Sequence, residues 1–178
     1  MKLPFLLFFL FLSSFFFGQN LDTNAVELAL KDKDVILYRD IRYHASDTLK
    51  RLNRLYEVYL VEVDSCVPNF CRVRGYYTLP YMKGKQESKQ SYWIEVENLE
   101  SALQGSFSIF REPFSISEDN LVLKVEDYSD IYFKIDVITV VNNWVKVSFK
   151  INDQVLIGWV INTNLCPLKH TECNYTKP

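Results

Sequence analysis

The clearest pattern in the chain is an alternation of apolar and polar residues with a period of two. In residues 145–151 every second side chain is apolar, from Val145 to Ile151, and the side chains between them are lysine or serine. Residues 121–126 and 133–137 continue the pattern. Such alternation is typical of a β-strand with one buried face. It predicts a chain built mainly of strands.

Local signals predict one tight turn and one short helix. Asn152-Asp153 separates two strand-like segments, and both residue types tolerate the positive φ of a two-residue hairpin turn. Near the start of the chain, Asp22 or Thr23 precedes an apolar run over residues 25–30. A capping residue before such a run predicts a short helix in the N-terminal segment 19–33.

A repeated motif predicts how the chain is organised. Residues 93–99 and 159–165 both begin with Trp and an aliphatic residue and end with Asn-Leu, and they lie 66 residues apart. A pair of strand-like segments joined by a turn precedes each copy. Because a repeat marks a structural unit used twice, we expect two β-domains. The positions that carry the repeat are Trp93, Asn98, Leu99, Trp159, Asn164 and Leu165.

The second half of the chain resembles bacterial SH3-like domains of exported proteins. The resemblance rests on Trp144-Val145-Lys146-Val147, on Gly158-Trp159-Val160 and on the closing Asn164-Leu165. It implies a small β-barrel over residues 105–166. A tail over residues 167–178 follows.

The first half resembles the same family less closely. Tyr92 stands in place of the glycine before the Trp, Cys71 replaces an aromatic residue, and a polar insertion over residues 82–90 interrupts the pattern. The resemblance implies a divergent barrel over residues 34–100, joined to the second barrel by a helical turn around residues 100–105. The fold class expected is therefore all-β, with two tandem SH3-like barrels. A single larger β-domain is the alternative.

Composition supports strands and gives no sign of a nucleic-acid partner. The chain has 13 Phe and 11 Tyr but only two Met, and aromatic residues favour strands. It has 20 basic and 22 acidic residues, which leaves no basic surface for nucleic acid or anionic membranes. The five glycines form no phosphate-binding fingerprint.

The first 18 residues have the layout of a secretory signal peptide. A lysine at position 2 is followed by an uncharged apolar run that ends at Gly18. The run is short for a transmembrane helix, which needs about 20 apolar residues. We therefore expect cleavage after Gly18, a periplasmic or secreted mature chain, and no integral membrane span in that form. An uncleaved anchor is the alternative.

Four cysteines in an exported chain predict disulfides, because compartments outside the cytoplasm are oxidising. The close spacing favours two local pairs, Cys66 with Cys71 and Cys166 with Cys173. The second pair would fasten the tail. Pairs that join the two halves are the alternative.

No catalytic or metal site is expected from the sequence. Cys166, His170 and Cys173 lie close together, but their spacing matches no common zinc signature. Every cysteine has a plausible disulfide partner, which leaves no thiol nucleophile. His44 lies in a polar loop and His170 in the tail, where solvated surface roles are expected. We therefore expect no enzyme activity, metal or cofactor.

Tyrosines near the insertion are the candidate binding residues. More aromatic side chains lie around residues 82–90 than a small barrel needs for its core, and exposed aromatic clusters mark interaction sites. The candidates are Tyr76, Tyr77, Tyr81 and Tyr92. These features predict an exported, non-catalytic binding module that recognises a cell-envelope polymer or an exported protein or peptide. The alternative is a structural or partner-interaction protein, such as an assembly factor or an inhibitor of a secreted enzyme. The oligomeric state stays open.

Overall fold

Antiparallel strands dominate the computed structural model, which describes residues 25–52, 58–79, 91–126 and 133–166. Within these ranges, thirteen strands form one large sheet, and the only helical elements are three short 3₁₀ helices. The prediction of an all-β fold is confirmed. None of the described residues belongs to a helix long and apolar enough to cross a membrane. The leader, the insertion over residues 82–90 and the tail over residues 167–178 lie outside the described residues.

The first seven strands run from residue 26 to residue 103. They are β1 (Val26–Leu30), β2 (Val35–Tyr38), β3 (Ala45–Leu49), β4 (Val58–Val67), β5 (Phe70–Leu79), β6 (Tyr92–Glu95) and β7 (Leu99–Leu103). A 3₁₀ helix, Val96–Asn98, separates β6 from β7.

The remaining six strands run from residue 107 to residue 166. They are β8 (Phe107–Phe110), β9 (Leu121–Val125), β10 (Phe133–Val141), β11 (Trp144–Ile151), β12 (Gln154–Ile161) and β13 (Leu165–Cys166). One 3₁₀ helix, Glu118–Asn120, precedes β9, and another, Asn162–Asn164, precedes β13.

The two halves use the same strand pairings in the same order. In the first half the order across the sheet is β3-β2-β6-β5-β4-β1, and in the second half it is β9-β8-β12-β11-β10-β7. Both copies of the Trp-to-Leu motif also have one local structure. The Trp lies in a strand, the Asn ends a 3₁₀ helix, and the Leu starts the next strand. The sequence repeat therefore corresponds to a structural repeat.

Strand β7 takes part in both halves. Its first residues pair with β1 through Leu30↔Leu99, and its last residues pair with β13 through Leu103↔Leu165. Its other edge pairs with β10. All five of its residues are buried. In the chain, β7 is the strand that follows β6 and so closes the first half. In the sheet, it lies beside β10 of the second half, just as β1 lies beside β4 of the first.

Two polar residues of β7 are buried with it. The Glu100 carboxylate has Lys134 Nζ 3.2 Å from its Oε2. The Ser101 hydroxyl donates to the carbonyl oxygen of Cys166 at 3.1 Å. These contacts connect β7 to β10 and β13.

Two helical predictions are wrong. Over the described part of segment 19–33, residues 26–30 form β1 and not a helix, because pairing with β4 and β7 buries both of its faces. The helical turn predicted around residues 100–105 is instead the end of β7, followed by Gly105 with φ +70°. Apolar runs of five residues do not distinguish a buried strand from a helix.

The main core lies on the inner faces of the strands. It takes side chains from both halves, among them Leu28, Val61, Ile94, Ile135 and Val147, all 0% exposed. The predicted alternation in β11 is confirmed, since Val145, Val147 and Phe149 are buried and the residues between them are not. Gly158 of β12 is constrained by packing, because a Cβ there would clash with Ile109 Cγ2 and lie 2.9 Å from the carbonyl oxygen of Phe110.

Asparagines form the hairpin turns. The predicted turn at Asn152-Asp153 is confirmed, with φ of 47° and 64°. Asn69 and Asn142 take positive φ at the ends of β4 and β10. Short polar side chains tolerate this conformation and connect adjacent strands tightly.

The predicted disulfide between Cys66 and Cys71 is confirmed. The two residues face each other across the β4–β5 hairpin, with Cα atoms 4.0 Å apart. At the equivalent position of the β10–β11 hairpin, Val140 faces Val145. Cys166 is buried in β13, and Cys173, its predicted partner, lies outside the described residues.

The equivalence of the β4–β5 and β10–β11 hairpins predicts the effect of removing the disulfide. A Cys66→Val/Cys71→Val variant should lose about 2 kcal/mol of unfolding free energy, the chain-entropy contribution of so short a loop. It should fold, because a Val pair occupies this position in the second half. Cys66→Ala/Cys71→Ala should lose at least about 1 kcal/mol more, since it leaves a cavity beside buried Cys71. Urea denaturation measures both. Equal losses would contradict the proposed equivalence.

Candidate functional site

A row of three side chains crosses the outer face of the first half. Tyr38 of β2 pairs with Trp93 of β6, and Trp93 pairs with Arg72 of β5. Directly opposed residues of neighbouring strands lie on one face of a sheet. Their strand neighbours Leu37, Cys71 and Ile94 belong to the core, so the row faces outward. We call this surface, completed by Tyr43, Phe70 and Glu95, the first outer face.

The second half carries an equivalent row. Phe110 of β8 pairs with Trp159 of β12, and Trp159 pairs with Lys146 of β11. Lys146 Nζ lies 5.8 Å from the centre of the Trp159 ring, within the range of a cation–π contact. We call this surface, completed by Phe114, Trp144 and Ile161, the second outer face.

Each outer face bears one exposed aromatic side chain on a strained backbone. Tyr43, in the loop after β2, has φ 66° and is 62% exposed. Phe114, in the loop after β8, has φ 67° and is 61% exposed. Positive φ is rare for bulky residues and is found more often at functional sites. Its occurrence in both halves marks a shared feature of the repeat.

Edge-to-face ring contacts hold each exposed aromatic in place. The Tyr43 ring lies 5.7 Å from Tyr38 and 5.1 Å from Phe70. The Phe114 ring lies 6.3 Å from Trp144. The rings are therefore oriented by packing although most of their surface faces solvent.

A single polar side chain organises each of the two loops. In the first, Asp40 accepts hydrogen bonds from the Arg42 backbone N–H and contacts His44 Nδ1, both at 2.8 Å. His44 and the Arg42 amide hold the pKa of Asp40 below its usual range. In the second, the Asn120 side chain accepts from the Glu112 amide at 2.9 Å and donates to its carbonyl at 2.8 Å. Both loops are therefore defined by hydrogen bonds.

Beside the first row, one buried carboxylate binds two arginines. Asp64 accepts from Arg72 Nε at 2.8 Å and from Arg74 Nε at 2.6 Å. Its side chain is 5% exposed, whereas those of Arg72 and Arg74 are 42% and 40% exposed. Burial alone would raise the pKa of Asp64, but hydrogen bonds from both arginines and Ser65 outweigh it and lower the pKa. The carboxylate therefore stays ionised and fixes both guanidinium groups.

Irregular strand pairing brings these groups together. Asp64 lies at a register shift in β4, and Arg74 lies at a second shift in β5, where Val63 pairs with Val73 and Glu62 with Gly75. A β-bulge re-aims a side chain and commonly lies next to a functional site. The Asp64–Arg74 contact thus joins two bulges on adjacent strands.

The two outer faces differ in chemistry at equivalent positions. Ile138 occupies the register shift in β10 where β4 has Asp64. Phe110 replaces Tyr38, and Ile161 replaces Glu95, whose carboxylate accepts from the Tyr38 hydroxyl at 3.3 Å. Arg74 has no counterpart, since the second hairpin has no register shift there. The first outer face is therefore the more polar of the two, since it carries Asp64, Arg74 and Glu95 where the second has none of them.

The tryptophans reflect this difference. Trp144 and Trp159 are buried with Phe110 in one cluster and are 5% and 8% exposed. Both side chains are therefore largely withdrawn from solvent. Trp93 is only partly buried.

The three predicted binding tyrosines that the structure describes, Tyr76, Tyr77 and Tyr92, do not lie on one surface. Tyr76 and Tyr92 both pack against the main core, and the Tyr59 ring contacts Tyr76 edge to face at 6.2 Å. Burial raises the pKa of Tyr76, and Asp47 and Tyr92 raise it further. Tyr77 lies on the opposite face of β5, so it cannot share a contact surface with them.

Tyr77 belongs to a small cluster beside the shared strand. It packs against Ala29, Leu60, Ala102 and Cys166 and donates its hydroxyl to Glu27. Burial and the Glu27 hydrogen bond raise its pKa. Tyr81 lies outside the described residues. Binding by the four tyrosines stays a prediction.

Sequence patterns did not group the residues of the two outer faces, although the sequence contains a signal for their loop aromatics. Tyr38-Arg39-Asp40 and Phe110-Arg111-Glu112 share the order aromatic, arginine, acid, and each precedes an exposed aromatic residue. The segments are short and their loops differ in length, so periodicity does not reveal them. His44 is exposed, as predicted.

Comparison with known proteins does not assign the chain to a family. No protein-family model, curated protein or solved structure gives a significant match.

The geometry of Asp64 predicts a pH-dependent contribution to stability. Asp64→Asn should lower the unfolding free energy at neutral pH by about 1–3 kcal/mol, because two arginines lose a charged acceptor. Since the folded pKa is depressed, this contribution is complete above the unfolded pKa near 4 and is lost as the pH falls through the folded pKa.

The control is Asp153→Asn, which removes an exposed ion pair with Lys150 and should cost little at any pH. Chemical denaturation between pH 2 and 7 measures both variants. A deficit of the Asp64 variant that stays constant down to the lowest pH would contradict the assignment.

Proposed function

We propose that the protein is an exported, non-catalytic binding module of the SH3-like type, which recognises a cell-envelope polymer or peptide through the first outer face. The observation that carries the proposal is the contrast between two equivalent surfaces. The fold tolerates an apolar, buried cluster at these positions in the second half. In the first half, Tyr38 and Phe70 are buried to the same degree, but partly exposed Trp93 and Glu95 stand where the second half has buried Trp159 and partly buried Ile161.

The first outer face combines features that binding surfaces use. Aromatic side chains provide contact area at low entropic cost, and a few polar groups set the orientation of a ligand. Exposed Tyr43, partly exposed Trp93 and the Arg72 guanidinium supply both kinds of group. The ring contacts of Tyr43 reduce the ordering that binding would require.

A partner-interaction protein is the second candidate function. Val155 and Ile157 lie on one face of β12 and are 63% and 54% exposed. Adjacent exposed aliphatic side chains on a strand favour a protein partner. If this alternative is right, the second half of the chain, and not the first, would bind the partner protein.

Matched variants in the two halves test the proposal. Tyr43→Ala should weaken binding to an isolated cell-envelope fraction about tenfold, because an anchored aromatic typically contributes more than 1 kcal/mol. Phe114→Ala is the matched control, with an equivalent backbone, exposure and ring contact, and should bind like the wild type. Sedimentation of the fraction with each purified mature protein measures the affinities, and circular dichroism confirms folding.

Equal binding by the wild type and a folded Tyr43→Ala variant would place the contact elsewhere. A loss confined to Phe114→Ala would favour the second half.

A further inference from the structure

We infer that Arg72, oriented by Asp64 and accompanied by Arg74, forms a subsite for a carboxylate group of a peptide ligand beside Trp93. The inference rests on the proposed function, since it gives the chemical class of ligand that the first outer face would bind. It is carried by the buried Asp64, by the cross-strand position of Trp93 and by the comparison between the halves.

The ion cluster is not a requirement of the fold. In the second half, Ile138 occupies the position of Asp64, and the hairpin lacks the shift that accommodates Arg74. Burying a carboxylate costs free energy that even good ion pairs often fail to recover, and apolar replacements are frequently as stable. The second half has such an apolar replacement. The charged cluster in the first half is therefore better explained by binding than by stability.

The arrangement orients a guanidinium group for an incoming acid. A guanidinium has five N–H donors in a rigid planar fork, and Asp64 accepts the one on Arg72 Nε. The Arg72 side chain is 42% exposed. Forks of this kind bind planar carboxylates through two parallel hydrogen bonds. Asp64 is a positioning residue because it acts on the ligand through the arginines.

Local charge favours a carboxylate over a phosphate. The two arginines and Asp64 carry a net charge of one positive unit, and Glu95 lies on the same face. A monoanionic carboxylate matches the positive unit. A dianionic phosphate brings excess negative charge toward Glu95, and like charges at short range repel.

The position of Trp93 indicates which kind of molecule bears the carboxylate that Arg72 binds. Its side chain lies directly across from Arg72 and is partly exposed. An indole ring beside a guanidinium provides a flat contact for a peptide unit next to the carboxylate. The expected ligand group is therefore a peptide terminus or an acidic side chain within a peptide.

Nuclear magnetic resonance titration of the mature protein tests the inference with defined probes. The probes are N-acetyl-alanyl-alanine, the same peptide with a C-terminal amide, and inorganic phosphate. The free acid should shift the Trp93 indole N–H and the Arg72 Nε–H signals in a saturable way. The amide should produce no saturable shift, and phosphate should bind at least tenfold more weakly. Equal responses to acid and amide would overturn the inference.

Two variants separate the guanidinium from a general effect of charge. Arg72→Lys keeps the charge but loses the planar fork, and it should weaken the free-acid response at Trp93 at least fivefold. Lys146→Met removes the equivalent cation of the second half and should leave that response unchanged. An unchanged response in a folded Arg72→Lys variant would overturn the inference.

The outcomes also separate this inference from the proposed function. Saturable binding of the free acid without binding to cell-envelope material would retain the subsite and reject the proposed polymer ligand. Envelope binding by both the wild type and Arg72→Lys, with no response to the free acid, would reject the subsite alone.

Discussion

Strand β7 is the constraint on which the rest of the fold depends. One edge of this five-residue strand pairs with β1 and β13, and the other pairs with β10, so neither half has its full set of pairings without it. A strand buried on both faces cannot shift register without displacing core residues of both halves. The remaining strands then follow the same pairing order on either side. The repeat is thus built into one continuous sheet.

On this common frame the inner and outer faces have diverged to different degrees. The inner residues of the two central hairpins stay small and apolar at equivalent positions, as in the Cys66–Cys71 and Val140–Val145 pairs. The outer positions differ in polarity: Asp64 in β4 of the first half corresponds to Ile138 in β10 of the second. Packing restricts the core more tightly than it restricts a surface. The more polar outer face is for this reason where we place the proposed binding function.

Sequence patterns predicted the strands, the Asn152-Asp153 turn and the Cys66–Cys71 disulfide, because each depends on local spacing. They failed at β1 and β7, which are buried on both faces: Ala29 is apolar on the second face of β1, and Glu100 and Ser101 of β7 are polar although buried, so neither segment shows the pattern of a half-buried strand. They also did not bring the outer row together, because Tyr38, Trp93 and Arg72 are distant in sequence and meet only through strand pairing. Tyr76 and Tyr77 were grouped by proximity in sequence, although neighbours on a strand point to opposite faces.

Amide hydrogen exchange, followed by mass spectrometry, tests the role of β7 most directly. Leu103 is fully buried in β7 and pairs with residues of β10 and β13. If β7 couples the halves, Leu103→Ala should lower the opening free energy of the β4–β5 and β10–β11 hairpins by the same amount, because both are lost in one cooperative event. A decrease confined to β10–β11, with unchanged protection in β4–β5, would contradict the account.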